Sequence, residues 1–453
     1  MPKHMIKWTM FVVFLLVPLF GYAYSADTGP EADVAFFEPS LRVGILINQP
    51  TVQVSAEANF DLTDPATGKV LSSFRTGDKV TIAAQDKFLT VNGAVVTAKE
   101  IGVVVKKNEA LYYIEQLLQV NKRRYRGDLN IHRTAGKTGL TVVNTLPVEQ
   151  YLYGVIKNEI SPDWPLEAVK AQAVAARTYA LANYNKHKAD GFDVCSTTDC
   201  QVYWGRESEA PRALEAVDAT RGLVLIHNGK LITAYFHSSS GGYTENSENV
   251  WSTPLPYLRG VIDYDQNCPN FSWEKRLTAA EFNQAISKAG YKIGSLQAVE
   301  LSPLANPPVA STDRGVSGRV KTVRLVGSDG SVQVSGTQLR SMLDLKSTLF
   351  DIHIPATSPK ALLPATRADN KIRLLSSHNK PLPASTTTAN IRVISDNTEA
   401  AVVITGSGWG HGIGLSQWGA KAMAEKAPPG NTEYFVVILK HYYQGVQIKK
   451  AYL

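Results

Sequence analysis

The sequence predicts an α+β fold in which a small β-rich N-terminal module precedes a larger domain of mixed strands and helices. Two observations predict it. From 41 to about 105 the chain alternates apolar and polar residues in short runs between turn signals, and from 147 to 184 the apolar residues recur at three- and four-residue steps. Strands then resume at 222–226, so the two kinds of element are mixed along one chain.

With 453 residues, 44% hydrophobic and 19% charged, the composition is that of a globular chain holding a large domain with an appendage, or two to three domains. Lys3, His4 and Lys7 precede an apolar run over 8–20 and a small-residue stretch over 21–26. That layout is a secretory signal peptide at residues 1–25, cleaved near Ser25 or Ala26. The alternative is an uncleaved N-terminal anchor, because the run is only slightly shorter than a spanning helix needs. The remainder is expected outside the cytoplasm, in the periplasm or cell envelope. A formal net charge of +7 suits an anionic wall or membrane surface. The densest basic cluster, Lys122, Arg123, Arg124 and Arg126, reads as a solvated face, and no nucleic-acid module is recognisable.

The β-rich module occupies 38–135, with strands expected at 41–47, 52–54, 60–62, 80–83 and 88–91. The stretch 64–68 carries turn chemistry, and Asn92-Gly93 is a two-residue hairpin turn because both positions tolerate positive φ. The larger mixed domain is expected over 136–354. It opens with a strand at 140–144 and a helical stretch at 147–159, followed by a break at 161–165. A second helix runs to about Tyr184, with Asp163 as N-cap and Pro165 in its first turn. Strands at 222–226 and 231–237, a helix at 279–289, a hairpin at 320–335 and a helix at 337–343 follow. The Pro/Ser/Thr-rich stretch 355–390 has no convincing period and reads as an insertion. Residues 391–453 complete the domain with a strand at 401–405, a glycine-rich run, a helix beginning near Leu415 and a closing helix at 434–443.

In the second helix, Leu166, Val169, Ala173, Ala176 and Ala180 form one apolar stripe, with Lys170 on the polar side. Arg177 falls on or beside the stripe. A buried guanidinium needs an acceptor, and the nearest candidate by topology is Glu159 at the end of the preceding helix. Ile156, Ile160 and Trp164 surround Glu159 in sequence, so desolvation should raise its pKa toward that of a general acid. A structural Glu–Arg pair is the other reading of this spacing.

Three further clusters carry chemistry. His237-Ser238-Ser239-Ser240-Gly241-Gly242 follows a strand and offers a histidine and hydroxyls at a glycine turn, for sugar hydrogen bonds or for the turn itself. The run Gly406-Ser407-Gly408-Trp409-Gly410-His411-Gly412-Ile413-Gly414 fails the dinucleotide pattern at its last glycine in every frame, which excludes a nucleotide site. Its glycines let Trp409 and His411 approach a sugar face or another backbone, with Trp418 nearby. Only three cysteines are present, and Cys195 and Cys200, with His187 upstream, make either a short disulfide loop or a metal site.

At these motifs the sequence resembles the stage II sporulation protein D / amidase enhancer (SpoIID/LytB) family. The resemblance runs through Pro147-Val148-Glu149-Gln150-Tyr151-Leu152, Glu159, the stretch from Trp164-Pro165 to Arg177-Thr178-Tyr179, Cys200-Gln201-Val202-Tyr203, His237-Ser238, and Gly408-Trp409-Gly410-His411-Gly412 onward to Gln417. It implies a SpoIID-like catalytic domain and a lytic transglycosylase. Such an enzyme cuts peptidoglycan glycan strands between N-acetylmuramic acid and N-acetylglucosamine, best where an amidase has removed the stem peptides.

By the same resemblance Glu159 is the catalytic acid/base and Arg177 its essential neighbour. Trp164, Tyr203, His237, Ser238, Trp409, His411 and Gln417 are candidate substrate contacts. One carboxylic acid suffices for lytic cleavage, since the sugar's own hydroxyl attacks, whereas an ordinary glycosidase needs two carboxylates. No cofactor is required, although a structural zinc on Cys195, Cys200 and His187 stands beside the disulfide. Asp199 replaces a histidine often found before the second cysteine. The alternative function is a non-catalytic, peptidoglycan-binding enhancer of an N-acetylmuramoyl-L-alanine amidase.

Overall fold

The computed structural model describes residues 37–106, 116–354, 390–393 and 401–452. The predicted signal segment and nearly all of the 355–390 insertion lie outside them.

The alternating runs form two sheets over one core. A seven-stranded sheet has the order Val194–Cys195, Ser40–Gln49, Leu140–Pro147, Asp128–Arg133, Glu100–Val105, Phe60–Asp64 and Lys69–Phe74. A six-stranded sheet has the order Arg123–Tyr125, Leu118–Val120, Thr51–Ala56, Val80–Gln85, Phe88–Val91 and Ala94–Val96. Alternate residues such as Leu41, Val43, Phe60, Leu62, Ile101 and Val103 are fully buried, the period-2 pattern of strands with one face on the core. Asn92 and Gly93 turn the last hairpin with φ of 48° and 86°, as their chemistry requires.

The N-terminal stretch does not stand apart as a module. Ser40–Gln49 pairs in register with Leu140–Pro147, Leu41 opposite Leu146, and one hydrophobic cluster takes in this stretch together with the helices that follow and the C-terminal residues to Tyr452. The strand at 140–147 belongs to the sheet it follows, so the expected boundary at 135 crosses a ladder of backbone hydrogen bonds.

Four helices follow: α1 (Val148–Tyr153), α2 (Ile156–Glu159), α3 (Leu166–Ala182) and α4 (Pro211–Ala219). Gly154 separates the first two, where a Cβ would stand 2.5 Å from the Tyr203 ring. Every residue of α3 from Glu167 to Ala180 is buried, so the helix is enclosed rather than amphipathic. Its many alanines allow neighbours to approach closely. Lys170, expected on a polar face, is 6% exposed and donates to Glu167 and to the Thr432 carbonyl, both at 2.8 Å. The predicted cap also differs: Pro165, not Asp163, is the N-cap, and no side chain caps the helix. A single turn, α5 (Glu248–Trp251), follows the serine-rich loop.

Residues 273–354 and 401–406 build a second core that the sequence reading did not separate. Trp273, Phe282, Ile286, Leu325, Phe350, Ile352, Val402 and Ile404 form its centre. A four-stranded sheet runs Gly330–Ser335, Thr322–Gly327, Leu296–Leu301, Asn390–Val393, and a three-stranded sheet runs Trp273–Thr278, Ala401–Gly406, Phe350–His353. Helices α6 (Ala279–Lys288) and α7 (Gly336–Met342) each start with a capping box, Thr278 with Glu281 and Ser335 with Gln338.

The chain then returns to the first core through α8 (Gln417–Ala424) and α9 (Tyr434–Tyr442), both packed on α3, and the strand Gln447–Lys450 beside Leu223–His227. The glycine-rich run is the connection between the cores. It leaves Ala401–Gly406, bridges Ser239 through Trp409, and ends in Leu415–Ser416 parallel to Phe236–His237.

Candidate active site

Glu159 is the last residue of α2, where the chain turns extended at Ile160. Its carboxyl is half-buried, and Oε1 accepts the Val202 N–H at 3.0 Å. Burial pushes the carboxyl above the ordinary glutamate range, and the Val202 bond opposes this only in part. No cation forms an ion pair with it among the described residues. A carboxyl with one fixed oxygen, no ion pair among the described residues and a pKa raised by burial has the character that a general acid requires.

Arg177 does not reach Glu159, contrary to the expected pairing. It is wholly buried and grips Glu149 in a fork, Nε to Oε1 at 2.9 Å and Nη2 to Oε2 at 2.7 Å. Its remaining hydrogens go to the carbonyls of Val217 and Leu223. Glu149 also accepts from the Gly222 amide at 2.9 Å and the Tyr452 hydroxyl at 2.7 Å. The pair ties α1, α3, α4 and the C-terminal residues together, which makes Arg177 structural. The reason is direction: its side chain points at the first turn of α1, which holds Glu149.

Tyr203 is a second correction. It is 2% exposed, its hydroxyl donates to Asn144 at 2.7 Å, and its ring packs on Tyr151 at 5.1 Å. It fills the core behind Glu159 rather than contacting a ligand.

The segment that supplies Val202 begins in a cluster of metal-type donors. His187 Nε2, the thiols of Cys195 and Cys200, and an Asp199 carboxylate oxygen all lie within 4.8 Å of one another. Both thiols are free, so the disulfide alternative is not formed here. Donor separations are 3.1 Å from His187 to Asp199, 3.5 Å from Cys200 to His187, and 3.7 and 3.8 Å from Asp199 to the two sulfurs. Tetrahedral zinc with bonds of about 2.0–2.3 Å has edges of about 3.3–3.8 Å. The donor set therefore fits zinc. His187 Nδ1 faces Asp190 at 3.4 Å, the outer-shell carboxylate that orients a metal-binding imidazole. Asp199, which takes the place of a histidine, supplies the fourth donor. A hydrogen bond with Cys200 lowers the Cys195 thiol to about 5.

The remaining predicted contacts fall into two groups, one at the start of α8 and one along the glycine-rich run. Trp418 donates its backbone N–H to the Ser238 carbonyl at 3.1 Å, and its ring meets Trp164 edge-on at 4.8 Å with Lys421 over both. Gln417 reaches Gln172 at 3.5 Å. His237 and His411 lie ring to ring at 5.3 Å, and Trp409 is 49% exposed. His237 itself is buried, so it backs this surface rather than forming it.

Residues 136–227, which hold Glu159, Arg177 and the metal-type cluster, match the family SpoIID, described as "Stage II sporulation protein". An uncharacterized protein of Brachyspira hyodysenteriae is 34% identical over 313 residues, 68% of this chain and 68% of its own length. Stage II sporulation protein D of Bacillus subtilis is 28% identical over 337 residues, 71% of this chain and 78% of its own. The chain belongs to the SpoIID/LytB family. The amidase enhancer of Bacillus subtilis is 32% identical over 346 residues, 74% of this chain but only 46% of that protein.

Within this SpoIID/LytB chain the structure joins Glu159 to the cysteine loop through Val202, His237 to His411, Ser238 to Trp418, and Trp409 to Ser239. It sends Arg177 and Tyr203 to the core. Sequence reading missed Glu149, although it stands in the same motif as Tyr151, because nothing in helical spacing says which of two nearby acids an arginine will meet. Trp251 and Arg319 were also missed. Each lies far in sequence from the glycine loop it approaches.

Proposed function

We propose that this chain is an exported peptidoglycan lytic transglycosylase that cleaves glycan strands, preferentially those lacking stem peptides, with Glu159 as its acid and base. The observation that supports this reading is the half-buried Glu159 carboxyl, its pKa raised by burial, held by one backbone N–H and by no ion pair among the described residues. Because Val202 occupies Oε1, the proton resides on the second oxygen. That oxygen gives it to the glycosidic oxygen as the bond to the muramic acid anomeric carbon breaks. The resulting carboxylate then takes the proton of the same sugar's 6-hydroxyl, whose oxygen closes on the anomeric carbon. The products are a free 4-hydroxyl on one fragment and a 1,6-anhydro ring on the other. No water is consumed, so one carboxyl serves both steps, unlike the two needed for hydrolysis.

A zinc ion, held by His187, Cys195, Asp199 and Cys200, would supply structural cross-linking of the loop that ends at Val202. Held there, it would fix the loop whose Val202 N–H orients Glu159. Long-range attraction between the basic protein and the anionic wall assists encounter.

The name of one relative, amidase enhancer, favours a second reading, in which the chain binds peptidoglycan and stimulates an amidase without turnover. Incubating the protein and its Glu159→Gln variant with amidase-treated strands separates the two. The enzyme reading predicts 1,6-anhydro ends by mass spectrometry from the wild type, reduced about 10²–10⁴-fold in the variant. Stimulation of an amidase without any anhydro ends would select the enhancer.

A further inference from the structure

Cys195 and Cys200 bound a loop whose ends are fixed and whose middle is open. Cys195 pairs with Gly44 of the Ser40–Gln49 strand and packs on Val143 and Phe192. Just past Cys200, Gln201 accepts the Tyr151 hydroxyl at 3.2 Å and donates to the Ala176 carbonyl at 3.3 Å. Between these anchors Thr197, Thr198 and Asp199 are exposed. The chain folds back there through the Cys200 N–H to the Thr197 carbonyl at 3.0 Å and the Tyr203 N–H to the Ser196 carbonyl at 3.2 Å. This sets the two sulfurs within 4.8 Å of each other, and the Cys195 N–H donates to the Cys200 sulfur at 3.2 Å.

Sulfurs this close reach the disulfide bonding distance of about 2.05 Å through rotation of the Cys200 side chain, which is half-buried on the open side of the loop. Bonding them withdraws two of the four donors that would hold a metal, and His187 with Asp199 alone do not make a tetrahedral site. The bridge and the metal therefore exclude each other, yet each closes the same loop. We infer that Cys195 and Cys200 are a thiol–disulfide exchange site for low-molecular-weight disulfides, closing the loop through a metal ion when reduced and through each other when oxidised. Gln201 and Tyr203 keep their own bonds in both states, so Val202 stays aimed at Glu159 in either.

The exchange runs in two displacements. The accessible Cys200 thiolate attacks one sulfur of the incoming disulfide, whose S–S bond breaks and releases one thiolate. Cys195, 5% exposed and at hand inside the loop, then attacks the Cys200 sulfur of the mixed disulfide and expels the second thiolate. The cysteine pair is oxidised, the incoming disulfide is reduced to two thiols, and the protons those thiols take up come from solvent. The inference rests on the exported reading for the oxidising medium in which such disulfides persist, and not on the reaction at Glu159.

The test uses the full chain, purified reduced with its metal, freed of reductant and treated with oxidised glutathione. Bound metal should appear in solution, read with a chromogenic chelator, and the intact mass should fall by two hydrogens. Thiols titrated in urea should drop from three to the one of Cys268, and a dithiol reductant with added zinc should restore the starting state. The oxidised form should melt close to the metal-loaded form, whereas reduced protein stripped by a chelator melts below both. His187→Ala, which lacks one metal donor but keeps both thiols, should be isolated from aerated buffer as the disulfide. A reduced chain without metal, thiols that resist glutathione, metal retained beside the disulfide, or an oxidised form melting with the stripped one would each overturn the inference. None of these readouts involves cleavage, so absence of anhydro ends sinks the Glu159 reaction alone, and thiols that resist exchange in a cleaving enzyme sink the exchange site alone.

Discussion

Replacing Arg177 with alanine should unfold the protein more readily without touching the chemistry at Glu159. The magnitude follows from what remains. Glu149, 1% exposed, would lose two charge-assisted bonds of 2.9 and 2.7 Å, keeping only the Gly222 amide and the Tyr452 hydroxyl. Stranding one partner of a buried pair costs about 3–5 kcal/mol. The two surviving donors place this case near the lower end, about 3 kcal/mol. With a denaturant slope of about 3 kcal/mol per molar, the first urea transition should fall by about 1 M. Removing both partners should cost less than the sum of the single changes, because the charge is then no longer stranded. Urea unfolding followed by tryptophan fluorescence, with anhydro-product formation per folded molecule measured in parallel, decides the matter. If Arg177→Ala keeps the wild-type transition yet loses cleavage, the arginine acts on Glu159 and the structural assignment is wrong.

Other consequences are equally direct. Burial raises the Glu159 pKa, so the protonated carboxyl favours the fold: that stability is complete below the ordinary carboxylate range and is lost as pH rises through the Glu159 pKa. Glu159→Gln should therefore be as stable as wild type or more so at pH 7, and the wild-type kcat/KM should fall with rising pH around a midpoint above that of an ordinary glutamate. A midpoint at or below it would contradict the assignment. Zinc should be found at one ion per chain by elemental analysis of protein never exposed to chelator. It should be lost in Cys200→Ser with a lower melting temperature, whereas full stability and no bound metal in the wild type would remove it from the account. Tyr203→Phe surrenders its bond to Asn144 and should cost about 1–2 kcal/mol of stability with cleavage unchanged; a raised KM at unaltered stability would make Tyr203 a substrate contact after all.

Much of the fold was legible because its signals are local. The strands at 40–49, 51–56 and 88–91 announce themselves by alternation, and Asn92-Gly93 by backbone tolerance. The helix at 166–182 was legible as a helix but not as an enclosed one, because alanine is compatible with either environment and Lys170 looked like a surface residue. The second core was not separable, since its strands at 273–278 and 401–406 are 123 or more residues apart in sequence and meet only by tertiary pairing, Thr278 opposite Ala401. At the candidate site, the partial burial of Glu159 was legible from its apolar neighbours, and the gathering of the cysteines with His187 from their donor chemistry. The Arg177–Glu149 pair, Asp199 as a fourth donor and the Trp251–His411 contact depend on side-chain direction across long sequence separations, which periodicity does not encode.

Cleavage of amidase-treated glycan strands in water enriched in heavy oxygen tests the central claim most directly. If Glu159 moves one proton out and another in while the sugar's own hydroxyl attacks, wild-type products end in 1,6-anhydro rings that carry no solvent oxygen, and Glu159→Gln releases almost none. Reducing ends labelled by the solvent, or a Glu159→Gln variant that cuts at the wild-type rate, would contradict it.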